Sequence, residues 1–177
     1  KGEPFYTVMF NNKTVVDTSY LGFDFKDNED FDKNFKINNT TTSSFNETWQ
    51  MPWGEQLDVV NNYNELKVEL QENNEAARSM NIVFKVYDDG IGFRYEFPLQ
   101  ENLGSFIVID EKTEFAMTGD HKAIWIPGDY DTQEYNYTTS KLTEIKQKSI
   151  EFKEENVSMY RFSDWGVQTA LMMKSDS

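Results

Sequence analysis

The chain contains no cysteine and only one histidine. The first absence excludes a disulfide framework, a thiol nucleophile and a thiolate-ligated zinc site. The second leaves His121 as the sole imidazole, and no Ser-His-Asp order, HExxH metal motif or phosphate-cradling glycine loop accompanies it. His121 follows Gly119-Asp120 in an expected turn and reads as structural. Positive charge is scarce, with 17 Lys and Arg against 31 Asp and Glu and a net charge of −14. So acidic a surface repels phosphate backbones and argues against a nucleic-acid partner. No run approaches the ~18 consecutive apolar residues of a membrane-spanning helix. A basic start followed by an apolar core, the mark of a signal peptide, is also missing, and Lys1 is expected to lie downstream of a removed leader.

What the chain does have is aromatic mass. Phe, Tyr and Trp make up 15% of its 177 residues, enough to pack a core and to separate it from acid-rich disordered chains. Period-2 alternation carries most of that mass. Ile82, Phe84 and Val86 fall on one side of an expected strand, and Val83, Lys85 and Tyr87 on the other. Asp88-Asp89-Gly90 then reads as a tight primed turn, and Phe93, Tyr95 and Phe97 alternate with Arg94 and Glu96 up to Pro98. Further strands are expected near Phe5–Phe10, Thr14–Thr18, Leu21–Phe25, Phe45–Gln50, Tyr63–Leu70, Phe106–Glu111, Ala123–Ile126 and Gly166–Met173. Asn11-Asn12, Pro52, Gly54 and Pro127-Gly128 punctuate them. Lys26–Ser44 reads as a long loop or a solvated edge strand, and Lys141–Lys148 as the only short helix, with Ser140 as its cap. The pattern is all-β, a sandwich or barrel.

Chemistry is concentrated after one apolar segment. Ile126-Pro-Gly-Asp-Tyr-Asp-Thr-Gln-Glu-Tyr-Asn-Tyr137 sets Asp129, Asp131 and Glu134 among aromatic rings. Such a loop suits a hard cation such as Ca²⁺, which needs several oxygen ligands, although the spacing is not that of an EF-hand. It equally suits a sugar, or a surface acidic turn whose aromatics pack inward. Trp49-Gln-Met-Pro-Trp53-Gly-Glu55 reads as a core-packed corner rather than a sugar platform, Asn62–Glu65 as the start of an ordinary strand, and Arg94 with Glu96 as a surface pair.

Six strings, in order along nearly the whole chain, resemble the N-terminal domain of glycoside hydrolase family 97. They are Glu47–Glu55, Tyr63–Leu66, Asp88–Pro98, Thr118–His121, Trp125–Tyr135 and Gly166–Lys174, whereas Lys141–Asp164 matches only loosely. The likeness is nearest to the α-glucosidase branch, where the string ending at Glu134 is nearly the same.

The resemblance implies an antiparallel β-super-sandwich of the galactose-mutarotase type, spanning 1–177, packed on a catalytic (β/α)₈ barrel. A barrel of that kind takes roughly 250 residues of βαβ alternation, which this chain does not contain. The catalytic carboxylates are therefore expected outside it, and the fragment alone is expected to be inactive. The parent would hydrolyse starch-derived or related α-glucosides, with inversion if it follows the α-glucosidase branch, in a periplasmic or secreted setting. A Ca²⁺ would be held by barrel glutamates and by one glutamate of this domain, Glu134. A single carboxylate cannot furnish 6–8 oxygens, so the isolated domain is expected to bind the ion weakly or not at all. No ligand role carries over to Asp129, Asp131 or His121. A stand-alone carbohydrate-binding sandwich is the alternative reading.

Overall fold

The computed structural model of the chain describes residues 1–154 and 162–175. The strands are β1 (Phe5–Phe10), β2 (Lys13–Tyr20), β3 (Phe23–Phe25), β4 (Phe35–Gln50), β5 (Asp58–Glu72), β6 (Ser79–Val86), β7 (Ile91–Glu96), β8 (Val108–Glu111), β9 (Lys122–Trp125), β10 (Pro127–Asp129), β11 (Thr138–Lys141), β12 (Phe162–Val167) and β13 (Met172–Lys174). A 3₁₀ turn at Leu142–Glu144 leads into α1 (Ile145–Glu154), the one α-helix among the described residues. The all-β class holds, and β3 to β13 pair antiparallel. Two compact units emerge, Lys1–Tyr6 with Thr18–Glu114 and Thr7–Asp17 with Phe115–Ser177.

In the first unit a sheet of order β4-β5-β6-β7 accompanies the β3-β8 pair. The expected β6–β7 hairpin is present, pairing Phe84 with Phe93 and Ile82 with Tyr95. Its turn differs from expectation. Tyr87 N donates to Gly90 O at 2.8 Å, and none of Asp88, Asp89 and Gly90 takes the positive φ that a primed turn requires. The primed turn lies elsewhere, at Asn11 (φ 49) and Asn12 (φ 62), the two residues joining β1 to β2. Asparagine tolerates the left-handed region because its short side chain bonds locally.

Phe23, Phe25, Phe31 and Phe35 are all buried and interlock with Tyr95, Phe97 and Phe106, with ring centroids 4.6 Å apart for Phe23–Tyr95 and 4.7 Å for Phe25–Phe106. Lys26–Ser44 is both things expected of it. A loop runs to Asn34, tacked down by fully buried Phe31, and from Phe35 onward the chain is the solvent-facing edge strand β4. Against this core lies a buried ion pair. Arg78 Nε and Nη2 donate to Glu72 Oε2 and Oε1 at 2.7 and 2.6 Å, Nη1 donates to Glu29 O at 2.9 Å, and the guanidinium lies 4.8 Å from the centroid of the Phe31 ring.

In the second unit β9 is central in the order β11-β9-β13, and β10 pairs with β12. Fully buried Trp125 anchors it, packed with Ala123 and Ile145. Two expectations are corrected. Ser140 does not cap the helix, because its hydroxyl accepts from Trp125 Nε1 at 2.9 Å and donates to Lys141 O. Lys141 precedes the 3₁₀ turn instead, its N–H donating to Glu144 Oε2 at 2.9 Å. The strand expected over Gly166–Met173 is two strands, since β12 pairs with β10 and β13 with β9, so the chain must change partners between them.

Candidate functional site

Pro127 and Asp129 are buried, and β10 runs close against β12. A Cβ at Gly128 would stand 2.9 Å from Gly166 O, so only glycine lets the two backbones approach this closely. That approach delivers Asp129 to the root of the acidic loop. Its Oδ1 accepts Asp131 N at 2.8 Å, its Oδ2 accepts the Tyr135 hydroxyl at 2.6 Å, and its backbone carbonyl accepts from Gln168 Nε2. One buried carboxylate thus fastens both ends of the segment from Asp131 to Tyr135. Burial and the neighbouring Asp129 charge push the Tyr135 phenol up to about 12, so it stays protonated and keeps donating at neutral pH.

Glu134 lies within that fastened segment. It is exposed, and its N–H donates to Thr132 Oγ1 at 3.1 Å. Asp131 is also exposed, whereas Asp129 is only 6% exposed. The three acids the sequence singled out therefore divide into a buried fastener and two carboxylates reaching solvent. The surface-turn alternative fails in one respect: Tyr130 and Tyr137 point outward, not into a core. His121 is partly buried, and its Nε2 lies 3.4 Å from Thr118 Oγ1, a local contact that fits the structural reading. Its neighbour Asp120 accepts Thr143 N at 3.0 Å and the Thr143 hydroxyl at 2.9 Å.

These bonds, the one from the Thr143 backbone first, hold the Asp120 carboxyl below its ordinary value of 3.8. A depressed folded-state value means stability that is present above the unfolded value and lost as pH falls through the folded one. Asp120→Asn is accordingly expected to lower the melting temperature at neutral pH and to flatten the acid limb, the two profiles converging once pH falls below the folded value. Melting temperatures measured from neutral pH down into the carboxylate range check this, and an unchanged acid limb would remove Asp120 from the account.

One arrangement escaped sequence reasoning and a second differs from expectation. Asp24, Asp30 and Asp32 bring carboxylate oxygens within 4.8 Å of one another. Lys112 Nζ already serves them, bonded to Asp24, 3.0 Å from Asp32 and 4.0 Å from Asp30, and Asp24 and Asp32 raise its pKa in return. The available signal was the alternation in Phe23-Asp24-Phe25 and Asp30-Phe31-Asp32, which turns each acid away from the buried rings. The second is the Trp49–Glu55 segment. Trp49 is 45% and Trp53 79% exposed, so this is no core-packed corner. It is the tip of the β4–β5 hairpin, where a two-stranded ribbon has no layer to pack into. Arg94 and Glu96 do pair as expected, at 2.7 Å.

A family model described as glycosyl-hydrolase 97 N-terminal matches residues 1–177. Two solved structures of a glycoside hydrolase family 97 enzyme from Pseudoalteromonas sp. strain K8, one in complex with panose and one with acarbose, are similar to this chain. Each is 38% identical with a TM-score of 0.75, over 79% of this chain and 22% of theirs. A beta-arabinopyranosidase crystal structure is 26% identical with a TM-score of 0.66, over 76% of this chain and 21% of its own. The chain thus spans about a fifth of the length of these relatives.

Proposed function

The chain belongs to glycoside hydrolase family 97 as its N-terminal domain, and on that premise we propose that it serves a calcium-dependent α-glycosidase by packing on the catalytic barrel and lending that barrel's Ca²⁺ one ligand, Glu134. The observation that carries the reading is the division of labour around β10. A buried Asp129 holds a loop in shape, and an exposed Glu134 stands on it with no ion pair to satisfy its carboxylate among the described residues.

The donors suit the ion. Asp131, Thr132 and Glu134 offer only oxygen, as a hard cation prefers. Glu134 would hold it, with the remaining ligands supplied by the barrel. Bound there, Ca²⁺ supplies electrophilic help, stabilising charge that develops as the glycosidic bond breaks. This domain's own work is positional. Asp129, Tyr135 and Gln168 keep the loop in one conformation, so the Glu134 carboxylate is presented without an ordering cost at each binding event. The general acid and its partner carboxylate belong to the barrel, and the domain alone is inactive. The relative's complexes with panose and acarbose support an α-glucoside substrate, and the parent's setting is periplasmic or secreted.

Glu134→Gln in the parent enzyme tests this. An exposed substitution of this kind is expected to leave stability within about 0.5 kcal/mol. The curve of activity against free calcium is expected to move to concentrations higher by about tenfold or more, since losing a ligand costs at least as much as losing an outer-shell partner. Unchanged kinetics at low calcium would rule the role out.

A further inference from the structure

The β4–β5 hairpin outruns its sheet. β6 accompanies β5 only as far as the Asn64–Val86 pair, yet β4 and β5 stay paired, one to one, out to Gln50–Asp58. Beyond Phe45 and Tyr63 the structure is therefore a two-stranded ribbon, a form that is marginal in water on its own. Its side chains make it more so. Trp49 pairs with Val59 and the next pair, Thr48 with Val60, faces the other way, so apolar groups lie on both faces. Trp53 at 79%, Val60 at 66% and Leu57 at 63% are more than half exposed. Exposed apolar surface on this scale marks an interface, and tryptophan is the residue most enriched at interface centres.

Charge says what kind. From Ile37 to Leu66 the chain carries four acids, Glu47, Glu55, Asp58 and Glu65, and no lysine or arginine. A second copy docked by two-fold symmetry would set these acids against themselves, which disfavours it. A partner with an apolar concavity and a basic rim is complementary. The polypeptide best placed to provide it is the parent's own, because relatives are more than four times the length this chain spans and a tethered partner is held at high effective concentration.

We infer that the β4–β5 ribbon is a docking arm whose tip, Trp49 and Trp53 with Leu57 and Val60, seats in an apolar, basic-rimmed concavity on the catalytic domain of the same polypeptide. The inference rests on the parent-hydrolase reading above, but not on calcium or Glu134.

The test is photo-crosslinking in the intact parent enzyme with p-benzoylphenylalanine in place of Trp53. Cross-links within one polypeptide, mapped by peptide mass spectrometry to residues beyond 177, are the expected result. Cross-links to a second polypeptide, cross-links confined to residues 1–177, or none at all would overturn it. Hydroxyl-radical footprinting of the unsubstituted enzyme guards against an effect of the probe. Trp49 and Trp53 are expected to oxidise about tenfold more slowly than free tryptophan amide in the same solution, as indoles in a packed interface core do, and equal rates would also overturn the arm. Neither readout involves the metal, so the arm and the Glu134 role stand or fall separately.

Discussion

Replacing Arg78 with methionine is expected to destabilise the domain by about 3–5 kcal/mol, the usual cost of leaving one member of a buried ion pair without its partner. Arg78 and Glu72 are each 3% exposed. Both carboxylate oxygens are engaged by the guanidinium fork, so the variant strands a charge with no route to water. Two further bonds go with it, since Arg78 also holds the carbonyls of Glu29 and Asp30 at 2.9 and 3.2 Å. These carbonyls belong to the loop that carries Phe31 into the core. The loss therefore reaches from the β5–β6 connection to the aromatic cluster. Arg78→Lys is expected to recover little, because an ammonium cannot reproduce the planar bidentate contact or the guanidinium's place over the Phe31 ring. Glu72→Leu combined with Arg78→Met is expected to be less destabilised than Arg78→Met alone, since no buried charge remains, but below wild type because the two carbonyls stay unserved. Denaturant unfolding of the three variants checks the order. A double variant less stable than the single one would contradict it.

Asp129→Ala in the parent enzyme is expected to lower its calcium affinity by about 10–100-fold, the range found when groups that orient metal ligands are removed. The variant deprives the Asp131 N–H and the Tyr135 hydroxyl of a common charged acceptor, and a hydrogen bond to a charged group contributes about 1.5–3 kcal/mol. Asp129 is a positioning residue, so the conservative change distinguishes its role. Asparagine retains an oxygen for the Asp131 N–H and offers an amide that the phenol accepts, so Asp129→Asn is expected to recover most of the affinity. Tyr135→Phe removes one tether only and is expected to fall between. Calcium titration of activity, alongside thermal unfolding, separates a loosened loop from an unfolded domain. Equal calcium midpoints for the wild type and Asp129→Ala would show that loop order is irrelevant to the ion.

The parts of this structure that the sequence made legible are those written in strict alternation. Ile82, Phe84, Phe93 and Tyr95 announce a hairpin because a period of two can serve only a half-buried strand, and the pairing found is the one that alternation requires. The length of β4 was not legible: Asn38 to Ser44 is uniformly polar, an edge strand in water needs no apolar side, and so no period marks it. The hairpin turns were misjudged for a related reason. Asp-Asp-Gly and Asn-Asn both permit a primed turn, yet only Asn11 and Asn12 take the positive φ it requires, as the more tolerant residue type does. At the site the acidic loop stood out, but the roles within it did not. Asp129, Asp131 and Glu134 are alike in composition, and only the depth of β10 beside β12 makes the first a buried fastener. The Arg78–Glu72 pair was invisible because Glu72 to Arg78 reads as a solvated connection. Its burial is imposed by Phe25 and Phe31, roughly 50 residues away in sequence.

The central claim is a calcium ion shared between this domain and its barrel, and calorimetric titration of Ca²⁺ reports it most directly. The chelator-stripped parent, its Glu134→Gln variant and residues 1–177 alone form the set. The expected result is one tight site in the parent, affinity weaker by about tenfold or more in the variant, and no stoichiometric micromolar site in residues 1–177, where one carboxylate cannot supply the oxygens the ion requires. Equal affinity in parent and variant, or a full-strength site in residues 1–177 alone, would contradict the account.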